Sequence, residues 1–146
     1  MSKEILFLSG PNLDLLGQRS PELYGTETLA DHERRFSDAV APAGFTVWAV
    51  QSNSEATLIE TIHEARSRAA AIVFNPGALT HSSWALRDAL DTFSGPKIEV
   101  HLSNPAAREP FRHLSTIAQV VSGSIAGLGS LGYELAAQAV MARLKA

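Results

Sequence analysis

Apolar runs of strand length recur along the chain at 5–8, 45–50, 70–74, 97–102 and 118–125, and the stretches between them carry apolar residues at helical spacing. Continuous apolar strands are those buried on both faces, so their alternation with helices predicts an α/β fold with a parallel sheet covered on each side. The helical stretches bring their own start and stop signals. Thr28 and Asp31 form a capping-box pattern that opens the first, and Ala41-Pro42-Ala43-Gly44 closes it. Ser52 and Glu55 make a similar box for the second, which aligns Leu58, Ile62 and Ala65 on one face. A third is expected over 81–93, capped by Thr80 or His81 and stopped by Ser94-Gly95-Pro96. An Ala- and Leu-rich fourth, over 127–144, faces the sheet.

One connection breaks this rhythm. From Ser9 to Gly25 the chain runs without strand or helical periodicity, and a loop of about fifteen residues in a small α/β chain is usually an active-site lid or a disordered segment. Leu13, Leu15, Leu16, Leu23 and Tyr24 make it too apolar for a solvated linker, so a lid folded over a site is expected. It holds a cation, Arg19, close in sequence to a phenol, Tyr24.

Composition narrows the function classes. With 146 residues the chain makes one domain, over 1–146, and its hydrophobic fraction of 45% is that of an ordinary globular protein. A formal charge of −3 supplies no basic footprint for nucleic acid or anionic lipid, leaving small molecules and copies of the same chain as partners. Without cysteine there is no disulfide framework, thiolate nucleophile or Cys-based zinc site. Met1-Ser2-Lys3-Glu4 leads directly into a strand with no room for a targeting segment, and no apolar run has membrane-spanning length, so a cytoplasmic protein is expected.

Polar residues collect where the strands end. In an open parallel sheet these ends share one edge, where ligands bind, so Asn12, Asn75, His101 and Ser103 should converge there. Phe74-Asn75-Pro76-Gly77-Ala78-Leu79-Thr80-His81 offers an amide, a hydroxyl and an imidazole in one turn, and Asp88, two turns beyond His81, would share its helix face. In Lys97-Ile98-Glu99-Val100-His101-Leu102-Ser103-Asn104 the strand period puts Glu99, His101 and Ser103 on one side. A carboxylate two positions from an imidazole fixes its tautomer and favours its protonated form, as a general acid requires. Arg108 and Arg112 follow, on one face if helical, and suit a carboxylate-bearing substrate.

Other patterns are set aside. Gly127-Leu128-Gly129-Ser130-Leu131-Gly132 matches the dinucleotide fingerprint but lacks the following strand with its acidic residue, so its glycines are read as letting the last helix approach the sheet. Asp31-His32-Glu33 and His63-Glu64 are read as solvated helix surface, because adjacent helical residues point about 100° apart and share no coordination face. His113 is read as a surface or packing residue. No G-x-S-x-G elbow accompanies Ser82 and Ser83.

Taken together, Gly10-Pro11-Asn12-Leu13, Arg19 with Tyr24-Gly25, the Asn75 to His81 turn, Glu99 to Asn104, Arg108 to His113, and Gly127 to Gly132 followed by Tyr133 resemble the type II 3-dehydroquinate dehydratases over essentially the whole chain. The resemblance implies a flavodoxin-like three-layer fold with a five-stranded parallel sheet in the order 2-1-3-4-5. It also implies a dodecamer built from trimers, no cofactor, and dehydration of 3-dehydroquinate to 3-dehydroshikimate through an enolate, in the shikimate pathway or in quinate catabolism.

Residue by residue, it implies Tyr24 as base, Arg19 and Arg108 favouring its ionised form, Asn12 holding a water for the enolate, and His101, beside Glu99, as acid. A free phenol titrates near pH 10, so such a base needs the cations. Asn75, His81, Leu102, Ser103 and Arg112 match the substrate-binding positions, with Asp88 reaching in from an adjacent subunit. Ser9, Asp14 and Pro105-Ala106 depart from the family pattern, at positions given no chemical role. The competing class is a non-catalytic flavodoxin-like module that binds a small anionic ligand.

Overall fold

A computed structural model describes residues 2–145; Met1 and Ala146, the two ends of the expected domain, lie outside the described residues. Five parallel strands, β1 (Glu4–Ser9), β2 (Thr46–Gln51), β3 (Ala71–Asn75), β4 (Lys97–His101) and β5 (Gly123–Ala126), form one sheet in the order β2-β1-β3-β4-β5. The helices are α1 (Pro21–Tyr24), α2 (Leu29–Val40), α3 (Glu55–Arg68), α4 (Trp84–Asp91) and α5 (Leu131–Lys145). This is the flavodoxin-like arrangement that the sequence leads one to expect. The reversal of strand order puts a crevice between the carboxyl ends of β1 and β3.

Alternate side chains of each strand enter opposite cores. Ile5 and Phe7 of β1 pack with Phe36, Val40, Tyr133 and Ala137 from α2 and α5, while Leu6 and Leu8 pack with Leu58, Ile62, Leu86 and Leu90 from α3 and α4. Phe7 alone touches two rings, Phe36 at 5.3 Å and Tyr133 at 4.7 Å between centroids. Burial of each such side chain stabilises the fold by roughly 1.5–3 kcal/mol, which makes the sheet a stiff base for whatever its edge carries.

Local signals operate with four displacements. The Thr28/Asp31 capping box forms in both directions, at 3.2 and 2.9 Å, and the helix it opens gives way at Val40 to a 3-10 turn over Ala41–Ala43. The cap of α3 is Ser54, not Ser52; Ser52 Oγ instead accepts from Ser54 N at 3.0 Å and shapes the turn before it. The helix expected from 81 begins at Trp84 with Ser83 as cap, because Gly77–His81 winds as a 3-10 turn after Pro76. The strand expected over 118–125 is confined to Gly123–Ala126, and the helix expected from 127 starts at Leu131. Gly132 is buried, with a Cβ at that position lying 3.5 Å from Ile125 Cγ2 and 3.6 Å from Val100 Cγ1, so the last helix does lie close on the sheet. Among the described residues no helix is long and apolar enough to cross a membrane.

Candidate active site

The carboxyl ends of β1 and β3 are fastened to each other before any side chain enters the crevice. Gly10 N donates to Asn75 O at 2.8 Å, and a Cβ on Gly10 would fall 2.4 Å from Pro76 O. Gly77, at φ +62°, makes the reciprocal approach, with its Cβ position 2.9 Å from Pro11 O. Only chains without a Cβ at both places can come this close. The contact holds Asn12, itself left-handed at φ 70°, beside Asn75. Asn12 N donates to Asn53 Oδ1 at 2.9 Å, and Gln51 Nε2 reaches Gly10 O at 3.2 Å, so the end of β2 braces the same corner.

The long connection after β1 is ordered by its own apolar residues. Leu13 and Leu16 are buried in the α2–α5 core, and between Gly17 (φ 91°) and Gly25 (φ 81°) the chain forms the short helix α1, a turn that the sequence reading leaves as loop. Arg19 and Tyr24 stand at the two ends of this segment, and Arg19 Nη2 donates to Tyr24 Oη at 3.2 Å. The guanidinium of Arg19 also lies 4.6 Å from the Tyr24 ring centroid, and that of Arg108 lies 5.4 Å from it. A negative charge on this oxygen therefore has one guanidinium in hydrogen-bond contact and a second near the same ring. Where the connection rejoins α2, Glu27 is gripped by Arg35 Nη2 at 2.9 Å through both oxygens, and Arg35 Nη1 holds Glu134 of α5 at 2.8 Å.

Across the crevice, β4 presents Glu99 and His101. Glu99 is 1% exposed, and its Oε2 lies 2.6 Å from His101 Nε2. Burial alone would push the Glu99 carboxyl up; hydrogen bonds and charge from His101, with hydroxyl bonds from Ser115 and Thr80, outweigh it and hold it below the usual carboxylate range. Nε2 of His101 is thus occupied, and Nδ1 is the nitrogen left for a ligand. His81 stacks beside it at 6.5 Å between ring centroids, with Nδ1 on Leu114 O at 2.8 Å and its own orientation set by that carbonyl.

These groups enclose a cleft of about 200 Å³. Asn12, Arg19, Tyr24, Asn75, His81, His101, Leu102, Ser103, Arg108 and Arg112 all line it. Arg108, extended just past the 3-10 turn Pro105–Ala107, and Arg112, in the turn Pro110–Arg112, face it without sharing a helix: Arg108 Nη1 donates to Ser103 Oγ at 3.0 Å, and Arg112 pairs with Glu109. Three guanidiniums on so small a space suit an anion, and the imidazole, amides and phenol beside them suit a hydroxylated one. No group of three His, Asp or Glu side chains among the described residues could hold a metal ion.

Two sequence readings fail here. Asp88 does not share a helix face with His81, since the 3-10 turn ends before α4 begins; its side chain is 76% exposed, contacts Arg87, and does not line the cleft. His32 is not solvated helix surface. It is 1% exposed, with its ring 5.3 Å from that of Tyr133, and neither ring nitrogen has a hydrogen-bond partner. His63 is exposed, as read, and so is His113, whose Nε2 meets Arg108 O at 2.9 Å.

The sequence reading also misses the supports around Glu99. Ser124 stands opposite Glu99 in the β4–β5 register and would be found from the correct strand boundary, whereas Ser115, in an irregular segment, has no periodicity to mark it. Gln51 and Asn53, at the end of β2, follow the same strand-end logic as Asn12 and Asn75.

The fold and this cleft define a flavodoxin-like α/β protein with a guanidinium-lined cleft at the strand-order reversal. Comparison with known proteins gives the family. The Dehydroquinase class II family profile matches residues 3–141. A curated 3-dehydroquinate dehydratase of Cereibacter sphaeroides is 54% identical over 140 residues, covering 96% of this chain and 95% of the relative. One from a Chelativorans species is 54% identical over 145 residues, covering 99% of this chain and all of the relative. The crystal structure of a type II dehydroquinase from Propionibacterium acnes superposes with a TM-score of 0.91 at 45% identity, covering 97% of this chain and 98% of that one. The chain belongs to the class II dehydroquinase family. It is a hydro-lyase of that family.

Proposed function

We propose that this enzyme removes water from 3-dehydroquinate to give 3-dehydroshikimate by way of an enolate. Tyr24 takes the carbon-bound proton next to the ketone, with Arg19 and Arg108 stabilising the negative charge on its oxygen. The electron pair left behind moves onto the ketone oxygen, and Asn12 holds the water that stabilises this enolate by hydrogen bonding. The enolate then collapses, a carbon–carbon double bond forms, and the carbon–oxygen bond to the leaving hydroxyl breaks. His101 gives that hydroxyl its proton, so it departs as water. Arg112, Ser103, the Leu102 backbone, Asn75 and His81 bind the carboxylate and hydroxyls. No cofactor takes part.

The observation that carries this reading is the Arg19–Tyr24 hydrogen bond on one wall of a cleft whose other walls bear Asn12 and the Glu99–His101 pair. Purified protein mixed with 3-dehydroquinate should generate the absorbance of the conjugated enone, undiminished by a metal chelator. Binding without turnover would favour the non-catalytic module instead.

The enzyme works as a homo-dodecamer of trimers in which Asp88 reaches the cleft of a neighbouring subunit. Trp84, Phe111 and Leu114 support this: they are 65%, 61% and 66% exposed on segments that meet at His81, and apolar surface of that kind marks an interface. Light scattering should give twelve times the chain mass of 15.6 kDa. The absence of cysteine fits a reducing cytoplasm, where the reaction serves the shikimate pathway or quinate breakdown.

A further inference from the structure

The buried carboxylate of Glu99 is held by hydroxyls from three separate pieces of chain. Ser115 Oγ meets Oε1 at 3.0 Å and Oε2 at 2.9 Å, Thr80 Oγ1 meets Oε2 at 3.1 Å, and Ser124 Oγ meets Oε1 at 3.3 Å. An ionised carboxylate accepts only, so the three hydroxyls and the imidazole can all donate to it at once. Ser115 Oγ already accepts from Ala118 N at 3.1 Å, which leaves its hydrogen for Glu99. Ser124 Oγ has no second partner among the described residues. Thr80 Oγ1 also lies 3.4 Å from His101 Nε2, so the cradle touches both members of the pair.

We propose that Ser115 and Ser124 are positioning residues for the dehydration: with Thr80 they fix Glu99 as an anion with Oε2 on His101 Nε2, which keeps a proton on Nδ1 for the departing hydroxyl. The inference rests on His101 being the acid. Neither serine lines the cleft that holds Arg19 and Tyr24, so both act through Glu99. A second cavity, also of about 200 Å³, shares His81, His101 and Arg112 with the cleft and is lined by both serines. The other charged or titratable groups around the pair are His81, Arg112 and His113, which line this second cavity, and Arg19, Tyr24 and Arg108, which line the cleft.

The test is kcat and KM for Ser115→Ala, Ser124→Ala and their combination, each also made in a Glu99→Gln background. Without the hydroxyls Glu99 is free to turn away from His101 Nε2, and the imidazole loses the partner that fixes its orientation. The double variant should therefore lose about tenfold in kcat with KM changed by less than about twofold. Ser115→Thr, which keeps a hydroxyl, should restore kcat. In the Glu99→Gln background the serine substitutions should add nothing. A rise in KM with kcat unchanged, or losses that multiply with that of Glu99→Gln, would overturn the proposal. If Ser115→Ala disturbs folding through its Ala118 contact, Ser124→Ala decides the matter alone. Wild-type turnover in His101→Ala would sink the acid assignment itself, whereas an inactive His101→Ala with unaltered serine variants would sink only the cradle.

Discussion

Arg19 engages Tyr24 twice, with Nη2 donating to the hydroxyl at 3.2 Å and the guanidinium 4.6 Å from the ring centroid. Tyr24→Phe keeps the ring and removes only the oxygen. It should lower kcat by about a thousandfold with the circular dichroism spectrum unchanged. Arg19→Lys, which cannot present a planar fork, should lower kcat by roughly tenfold to a hundredfold and affect KM less. Steady-state kinetics on both variants checks this.

Glu99 connects the site to acid stability. Its carboxyl is held below its ordinary value of 4.5, so the unfolded chain takes up this proton before the folded one does. The associated stability is complete above pH 4.5 and is lost as pH falls from there through the folded-state value. Glu99→Gln should be less stable by about 1–3 kcal/mol at neutral pH and lose less on acidification. Urea midpoints on either side of pH 4.5 measure the difference.

His32 works in the same direction at higher pH. Burial pushes its imidazole below 6.5, with Glu27 opposing and Arg35 assisting, so the folded state binds fewer protons there than the unfolded one. Its contribution is complete above pH 6.5 and declines as pH falls below it. His32→Leu, of similar volume, removes two unpartnered buried nitrogens. It should stabilise the protein by about 1 kcal/mol and flatten this part of the pH–stability curve, as read by urea unfolding.

Gly10 and Gly77 should be intolerant of a methyl group for different reasons. In Gly10→Ala the new carbon meets Pro76 backbone at 2.4 Å with nothing flexible to yield, and a loss of about 3 kcal/mol is expected. In Gly77→Ala the left-handed φ of +62° adds backbone strain to a 2.9 Å contact. Thermal unfolding should show both, and kcat of the surviving protein should fall as the Asn12 corner shifts.

Asp88 gives the assembly proposal its sharpest test. Although it lies outside the cleft of its own chain, Asp88→Asn should lower kcat/KM by about tenfold in the assembled enzyme. Mixed oligomers of Asp88→Asn and Tyr24→Phe subunits should recover activity, because an intact Tyr24 on one chain meets an intact Asp88 on the next. Mixtures no more active than their parents would contradict delivery across subunits.

Strand-end logic carries most of this site in the sequence. Asn12, Asn75 and His101 are polar residues just past apolar runs, and parallel topology brings such ends together whatever their separation. What escapes is set by local geometry. A 3-10 turn after Pro76 moves the helix start to Ser83, and so places Asp88 on a different element from His81. His32 sits between Asp31 and Glu33 and reads as surface, yet the helix turns it inward onto Tyr133. Ser115 lies in no regular element, and only the folded chain brings it to Glu99.

The span from Gly17 to Gly25 contains both Arg19 and Tyr24, while His101 ends β4 and Asn12 lies three residues past the end of β1. The phenol and its guanidinium therefore form a single cassette, bounded at each end by a left-handed glycine. On the proposed mechanism, the base and one of its counter-ions are supplied by the same short stretch of chain.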